Sequence, residues 1–488
     1  MGHKATTTTT ATTTATTTAT QLWRMGALEL AAAIRSGQVS SREVVEAHLR
    51  RIDAVNPAVN AVTVVLAEQA LAAADAADRA LARGDEVGRL HGVPFTVKGN
   101  IDVVGTPTTF GAQALVDAFP AMDAPVVERL RAVGAIALGH TNLPTFALRW
   151  HTDSQLWGPT INPWDRTRTP GASSGGEAVA LATGMSPLGL GNDTLGSLRW
   201  PAQCCGVTAL KPTLGRIPNA TTVDPADGPI GTQLATVQGP MARRIADLRA
   251  AYEILSGPTW RDPWTAPARL RGPDWPGPVR VALVLDPAGQ GVADEIRDGL
   301  LVAAAALRDA GYAVEEAAPP AIDTAADTLL DMLNPPGTQL ADLELIFPSA
   351  PPDSLRFLAA FYAVAGEADP TTIHTYATRQ SLQRAWGAFQ VTHPLILAPI
   401  CTSLPFLAGT DLDEGQVAKT IRDLRMTLAV NALGLPAVAV PVAIRSGLPQ
   451  SVQLIGPRYR EDLCLDAAAA IEDRTGILTP IDPSGGTS

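Results

Sequence analysis

The chain has 488 residues, 46% hydrophobic and 17% charged, which is enough to bury a large core and too little charge for a disordered chain. The net charge is −11 with no basic run, which argues against nucleic acid or an anionic membrane surface as the main partner. No run of about 18 apolar residues predicts a membrane-spanning helix.

Residues 1–20 contain only Thr and Ala after Lys4. Threonine cannot supply the apolar centre of a secretory signal, so this segment reads as a low-complexity leader without a role in the fold. Ser40-Ser41-Arg42-Glu43 is a capping box, in which the Ser40 hydroxyl and the Glu43 carboxylate each satisfy an orphan backbone N–H. It opens a helix toward Asn56 with Val44, Val45, Leu49 and Ile52 on one face. Ala-rich residues 66–82 predict a second helix, stopped by Gly84. Phe95-Thr96-Val97-Lys98 reads as a buried strand that turns at Gly99-Asn100. A helix follows at 123–132 and a strand at 135–139.

Residues 165–215 are rich in Gly, Ser and Thr, and a strand is expected at 187–190. After a helix at about 242–256 comes a connector with six prolines between Pro258 and Pro278. Strand–helix alternation resumes at Val279, and a second Pro-rich patch runs from Pro335 to Pro352. Late strands are expected at 395–400, 437–442 and 451–455, with a last helix near 461–472. This alternation predicts an α/β fold. Residues 21–488 read as one large domain, with a mixed, mostly parallel central sheet covered by helices.

The residue inventory narrows the chemistry. Cys204, Cys205, Cys401 and Cys464 form neither a disulfide framework nor a CxxC site, so a reducing cytoplasm is the expected compartment. The seven histidines make no HxH, HExxH or His–Cys cluster, so no metal site is expected. No phosphate-binding GxxxxGK[ST] occurs, and Gly-rich 171–176 lacks the strand that a dinucleotide fingerprint needs. No cofactor is therefore expected. Gly171-Ala172-Ser173-Ser174-Gly175 matches G-x-S-x-G, but a nucleophile elbow needs a preceding strand and the lead-in 162–170 is turn-like. A second serine stands in Asp193-Thr194-Leu195-Gly196-Ser197, just after a predicted strand. A tight glycine turn there aims consecutive N–H groups at one point and can hold an oxyanion.

Lysine is scarce. Of 37 basic residues, four are lysines (Lys4, Lys98, Lys211 and Lys419) and the other 33 are arginines. Arginine keeps its proton near neutral pH, whereas a buried lysine can release it. An internal lysine is therefore a candidate base.

Lys98 in GVPFTVKGN, the paired serines in GASSGGE and the DTLGS turn together resemble the amidase signature family. Ser173 precedes Ser197 by 24 positions and Lys98 precedes it by 99, both near the family's spacing. Flanking text also fits: Gly158-Pro159-Thr160, Asn162-Pro163-Trp164-Asp165, Leu210-Lys211-Pro212-Thr213, Gly434-Leu435-Pro436-Ala437 and Gln453-Leu454-Ile455-Gly456. The resemblance spans about 26–475, with the signature core at about 90–256 and variable substrate-pocket segments at about 257–435.

The resemblance implies an amidase working through an acyl-enzyme, with Ser197 as nucleophile, Ser173 as bridging serine and Lys98 as base. The N–H groups of Thr194, Leu195, Gly196 and Ser197 would form the oxyanion hole. Ser174, Asp193 and Arg199 would support the site. A cis peptide bond is expected before Ser173, and a trans bond there would count against its role. For lysine to act as a base at neutral pH, its pKa must fall by about three units, and burial supplies shifts of that size. The family's usual Gly is Leu195 here, its acidic residue after the lysine is Gly99, and Thr145 replaces a frequent Glu. Trp150, His151, Trp200 and Leu195 are candidates for the pocket wall. The expected partner is a small, neutral and fairly apolar amide. Esters, anilides and carbamates share the same chemistry. The rival readings are a glutaminase-type subunit of a tRNA-dependent amidotransferase and a non-catalytic scaffold that kept the fold.

Overall fold

A computed structural model describes residues 21–223, 227–334, 349–366 and 372–484. The leader at 1–20 and most of the second Pro-rich patch lie outside the described residues. The strands are β1 (Val62–Val65), β2 (Pro94–Lys98), β3 (Ile136–Thr141), β4 (Asp153–Ser154), β5 (Gly158–Pro159), β6 (Leu188–Asp193), β7 (Thr208–Lys211), β8 (Val237–Ala242), β9 (Arg280–Leu283), β10 (Ala313–Glu316), β11 (Leu395–Pro399), β12 (Ala437–Arg445) and β13 (Leu448–Ile455).

Among the described residues, eleven of these strands form one mixed sheet, in the order β1-β3-β2-β6-β8-β7-β12-β13-β11-β9-β10, while β4 and β5 pair separately. Pairing is parallel where β2 meets β3 and β6, and where β9 meets β10 and β11. It is antiparallel from β6 through β8, β7, β12 and β13 to β11, and between β1 and β3. Helices cover both faces, which is why β2, β3 and β6 are buried at every position.

The local rules predict most boundaries. Ser40 accepts from Glu43 N–H as the capping box requires, and the helix runs Ser41–Val59. It passes the expected stop at Asn56 because Asn60 takes the left-handed cap conformation. The Ala-rich helix is Ala67–Ala82 and the last helix Glu461–Thr475. Two short helices inside the Gly/Ser/Thr-rich stretch, Gly175–Ala182 and Arg199–Cys205, were not predicted, and every residue in both is buried. Buried all round, such a helix has no polar face and so no 3.6-residue pattern to read.

The described residues bury three apolar clusters, and strand alternation sends neighbouring residues of one strand to different ones. Phe95, Val97, Leu188 and Leu190 belong to one. The helix residues Val179, Leu181 and Trp200, with Leu198 just before its helix, belong to a second, and Ala282, Ile396 and Trp386 to a third. Thr96 and Lys98, out of phase with Phe95 and Val97, take the opposite face of β2 and meet side chains of Gly175–Ala182 and β6.

Candidate active site

The site lies where β2 and β6 end side by side. Their parallel register pairs Thr96 with Gly189 and Val97 with Leu190, which brings Lys98 up to Asn192. Ser173 immediately precedes the buried helix Gly175–Ala182, and Ser197 precedes Arg199–Cys205. Lys98 Nζ lies 2.6 Å from Ser173 Oγ and 2.5 Å from Asn192 Oδ1. The Ser173 N–H donates to Ser197 Oγ at 3.3 Å. Chain segments 75 and 24 residues apart thus meet within one buried cluster.

Lys98 is fully buried, and burial lowers its pKa to about 7, against the opposing pull of Asp193 and Glu177. An ammonium in this position is therefore easily discharged. Glu177 faces the same space from the helix. It accepts from Thr141 Oγ1 at 2.9 Å and from Thr96 Oγ1. Burial raises its pKa to about 8 despite those hydrogen bonds and the Lys98 charge. Gly189 makes room for this carboxyl, since a Cβ there would overlap it.

The turn after β6 is organised by Asp193. Its carboxylate accepts from Gly196 N–H at 2.8 Å, Leu198 N–H at 3.2 Å and Arg199 Nε at 3.0 Å. Burial alone would push this carboxyl up, but the Arg199 charge and hydrogen bonds outweigh it and hold the pKa at about 2. Arg199 also donates to Gln453 Oε1 at 3.0 Å and to Thr427 O at 3.2 Å, and Asn431 Nδ2 donates to Asp193 Oδ1 at 3.0 Å. Asp193 and Arg199 are both fully buried.

Two expectations change. The Gly196 N–H is committed to Asp193, so it is not free for an oxyanion. The N–H groups of Thr194, Leu195 and Ser197 have no hydrogen-bond partner among the described residues. The cis bond among the described residues is Thr479–Pro480, so the bond before Ser173 is trans. That counts against Ser173 as the bridging serine, while the 2.6 Å approach of Lys98 counts for it. Leu195 brings no backbone strain, because the turn takes its left-handed residue at Gly196, with φ +94°.

The four pocket candidates separate. Trp150 Nε1 donates to Leu195 O at 3.2 Å, and its ring packs edge-on against Phe357 at 5.4 Å. His151 contacts Thr169 Oγ1 at 3.1 Å, and burial lowers its pKa. Trp200 is buried and lines a different cavity of about 240 Å3, together with Cys401, Ser403, Phe406 and Lys419. Trp150 and Leu195 meet at the turn that carries Ser197, and Trp200 touches the same turn through its backbone N–H, which donates to Gly196 O at 2.8 Å. Ser174 Oγ donates to Asn192 O at 3.3 Å and so is linked to Lys98 through Asn192.

The other internal lysines differ. Lys211 is as buried as Lys98 and burial likewise lowers its pKa to about 7, but its Nζ donates to Pro212 O at 3.0 Å, and half-exposed Lys419 pairs with Asp423 and donates to Ser403 Oγ. All four cysteines are free and buried, and burial raises their thiol pKa values, which keeps them poor nucleophiles. Sequence reasoning assigned no role to Asn192, Glu177, Thr427, Asn431 or Gln453. Glu177 carried a signal, a lone acid within the apolar run GGEAVALA. The others depend on distant partners.

The model of the amidase family matches residues 43–465. The chain belongs to the amidase signature family. This amidase is an amide-hydrolysing enzyme. An indoleacetamide hydrolase of Bradyrhizobium diazoefficiens is 42% identical over 463 residues, covering 94% of this chain and 88% of the relative. A glutamyl-tRNA(Gln) amidotransferase subunit from Moorella thermoacetica is 31% identical over 93% of this chain and 97% of its own. The structure of a bacterial aryl acylamidase of the amidase signature enzymes matches with a TM-score of 0.79 at 27% identity, covering 93% of the amidase and 96% of that chain. No helix among the described residues is long and apolar enough to cross a membrane.

Proposed function

We propose that this amidase hydrolyses a small, neutral, aryl-bearing amide, of which indole-3-acetamide is the first to test, through a Ser197 acyl-enzyme. The observation that carries the reading is the line from Lys98 Nζ to Ser173 Oγ, at 2.6 Å, and from the Ser173 N–H to Ser197 Oγ. Neutral Lys98 takes the Ser173 proton as Ser173 takes the Ser197 proton. For that step Ser197 Oγ turns from the Ser173 N–H toward the Ser173 hydroxyl. Ser197 Oγ attacks the carbonyl, and the N–H groups of Thr194, Leu195 and Ser197 hold the oxyanion. Ser173 then protonates the departing amine, and water cleaves the ester left on Ser197. Esters, anilides and carbamates would follow the same route. The buried free thiols support a cytoplasmic setting.

A hydrolysis panel of indole-3-acetamide, an anilide, an ester and a carbamate, with Ser197→Ala as control, tests the reading. Turnover that survives Ser197→Ala, or failure of a serine-directed phosphonate to label Ser197, overturns it. The 31% identity to an amidotransferase subunit favours one second reading, a glutaminase-type subunit that works within a complex. Turnover of simple amides by the purified single chain excludes it.

A further inference from the structure

We propose that Asn192 is a positioning residue for the base: its side-chain oxygen takes an N–H of the Lys98 amine and so points the amine lone pair at Ser173. This rests on the reading of Lys98 as base. Two polar atoms of other side chains contact Nζ, Asn192 Oδ1 at 2.5 Å and Ser173 Oγ at 2.6 Å. A neutral amine offers two N–H donors and one lone pair. An amide oxygen only accepts, whereas a hydroxyl can also donate. With an N–H committed to Asn192, the hydroxyl of Ser173 is the partner left to meet the lone pair.

Asn192 is itself held at both ends. Its Nδ2 donates to Asn100 Oδ1 at 3.0 Å, which fixes the amide orientation and turns Oδ1 toward Lys98. Its backbone carbonyl accepts from Ser174 Oγ at 3.3 Å. The choice of amide over carboxylate matters. An Asp of the same shape would put a formal charge beside the ammonium and favour the protonated form. The charged or titratable groups already facing Lys98 are Asp193 on β6 and Glu177 on the helix Gly175–Ala182. On β3, His140 is kept neutral by burial, with a pKa of about 4, and Asp102 acts on it from the segment after β2.

The test is the pH dependence of kcat and KM for hydrolysis of a neutral p-nitroanilide by the full chain, comparing wild type, Asn192→Asp and Asn192→Leu. Asn192→Asp should move the acid limb of kcat/KM upward by about 1–3 pH units, with activity recovering at high pH. Asn192→Leu should lower the plateau of kcat about 10–100-fold with little change in KM, because the lone pair is no longer aimed. The Asp limb reports that position 192 faces the amine, and the Leu plateau at unchanged KM reports the aiming, which a merely structural role would not confine to kcat. An Asp limb that stays at the wild-type position, or a Leu plateau equal to wild type, overturns the inference. If Asn192→Leu does not fold, Asn192→Ala takes its place, with the same plateau and KM expected. Lys98→Ala separates the two readings. If it retains turnover, the base assignment fails. If it is inactive while the Asp limb stays put, only the role of Asn192 fails.

Discussion

A lysine used for its removable proton cannot be exchanged for a group that keeps it. Lys98→Arg preserves charge and approximate length, but a guanidinium does not deprotonate in proteins. Its kcat/KM should fall at least about 100-fold on any amide that the wild type cleaves. Because burial sets Lys98 at about 7, the amine is mostly charged below that pH and mostly neutral above it. Hydrolysis should therefore rise with pH, about tenfold per unit on the acid side, and level off above 7. A rate that is flat from pH 5 to 8 contradicts this. The meeting of Lys98, Ser173 and Ser197 was legible because their motifs and spacing are local text. Asn192 sat inside the same text without a role, because its meaning comes from Nζ on a strand 94 residues earlier. The trans bond before Ser173 and the engaged Gly196 N–H were not readable, since family motifs name residues and not backbone torsions.

The nucleophile turn stands on one buried ion pair. Removing a single partner strands the other charge in the interior, so Asp193→Ala should lower unfolding free energy by about 3–5 kcal/mol in urea denaturation. Pairing Asp193→Leu with Arg199→Met should cost less than either change alone, because no charge is left unpaired. Gly196→Ala forces a side chain into φ +94° with its Cβ 2.8 Å from Thr427 Cγ2, and turnover should suffer even where the fold survives. At this scale the sequence was readable where a helix or strand has one polar and one apolar side. Ser41–Val59 announced itself by its exposed polar face, and β2, though buried throughout, by the alternation of Phe95 and Val97 with Thr96 and Lys98, whereas Gly175–Ala182, buried and almost wholly apolar, did not.

Across the molecule, the buried carboxyls oppose each other as pH changes. Asp193 is held at about 2, below its usual 3.8, so its contribution is complete above 3.8 and is lost as pH falls through about 2. Glu177 is raised from 4.5 to about 8, so its contribution is complete below 4.5 and is lost as pH rises through about 8. Glu177→Gln removes that second dependence. Its stability deficit relative to wild type should shrink between pH 5 and pH 9, and urea unfolding at both pH values checks this. The bracing of the nucleophile turn also fixes when it can exist. Asp193 and Arg199 rely on Asn431 and Gln453, 238 and 254 residues later in translation. A ribosome therefore delivers the serines and the lysine well before the side chains that hold their turn. If Ser197 is the nucleophile, an emerging chain should hydrolyse no amide until its late strands have closed over the early ones.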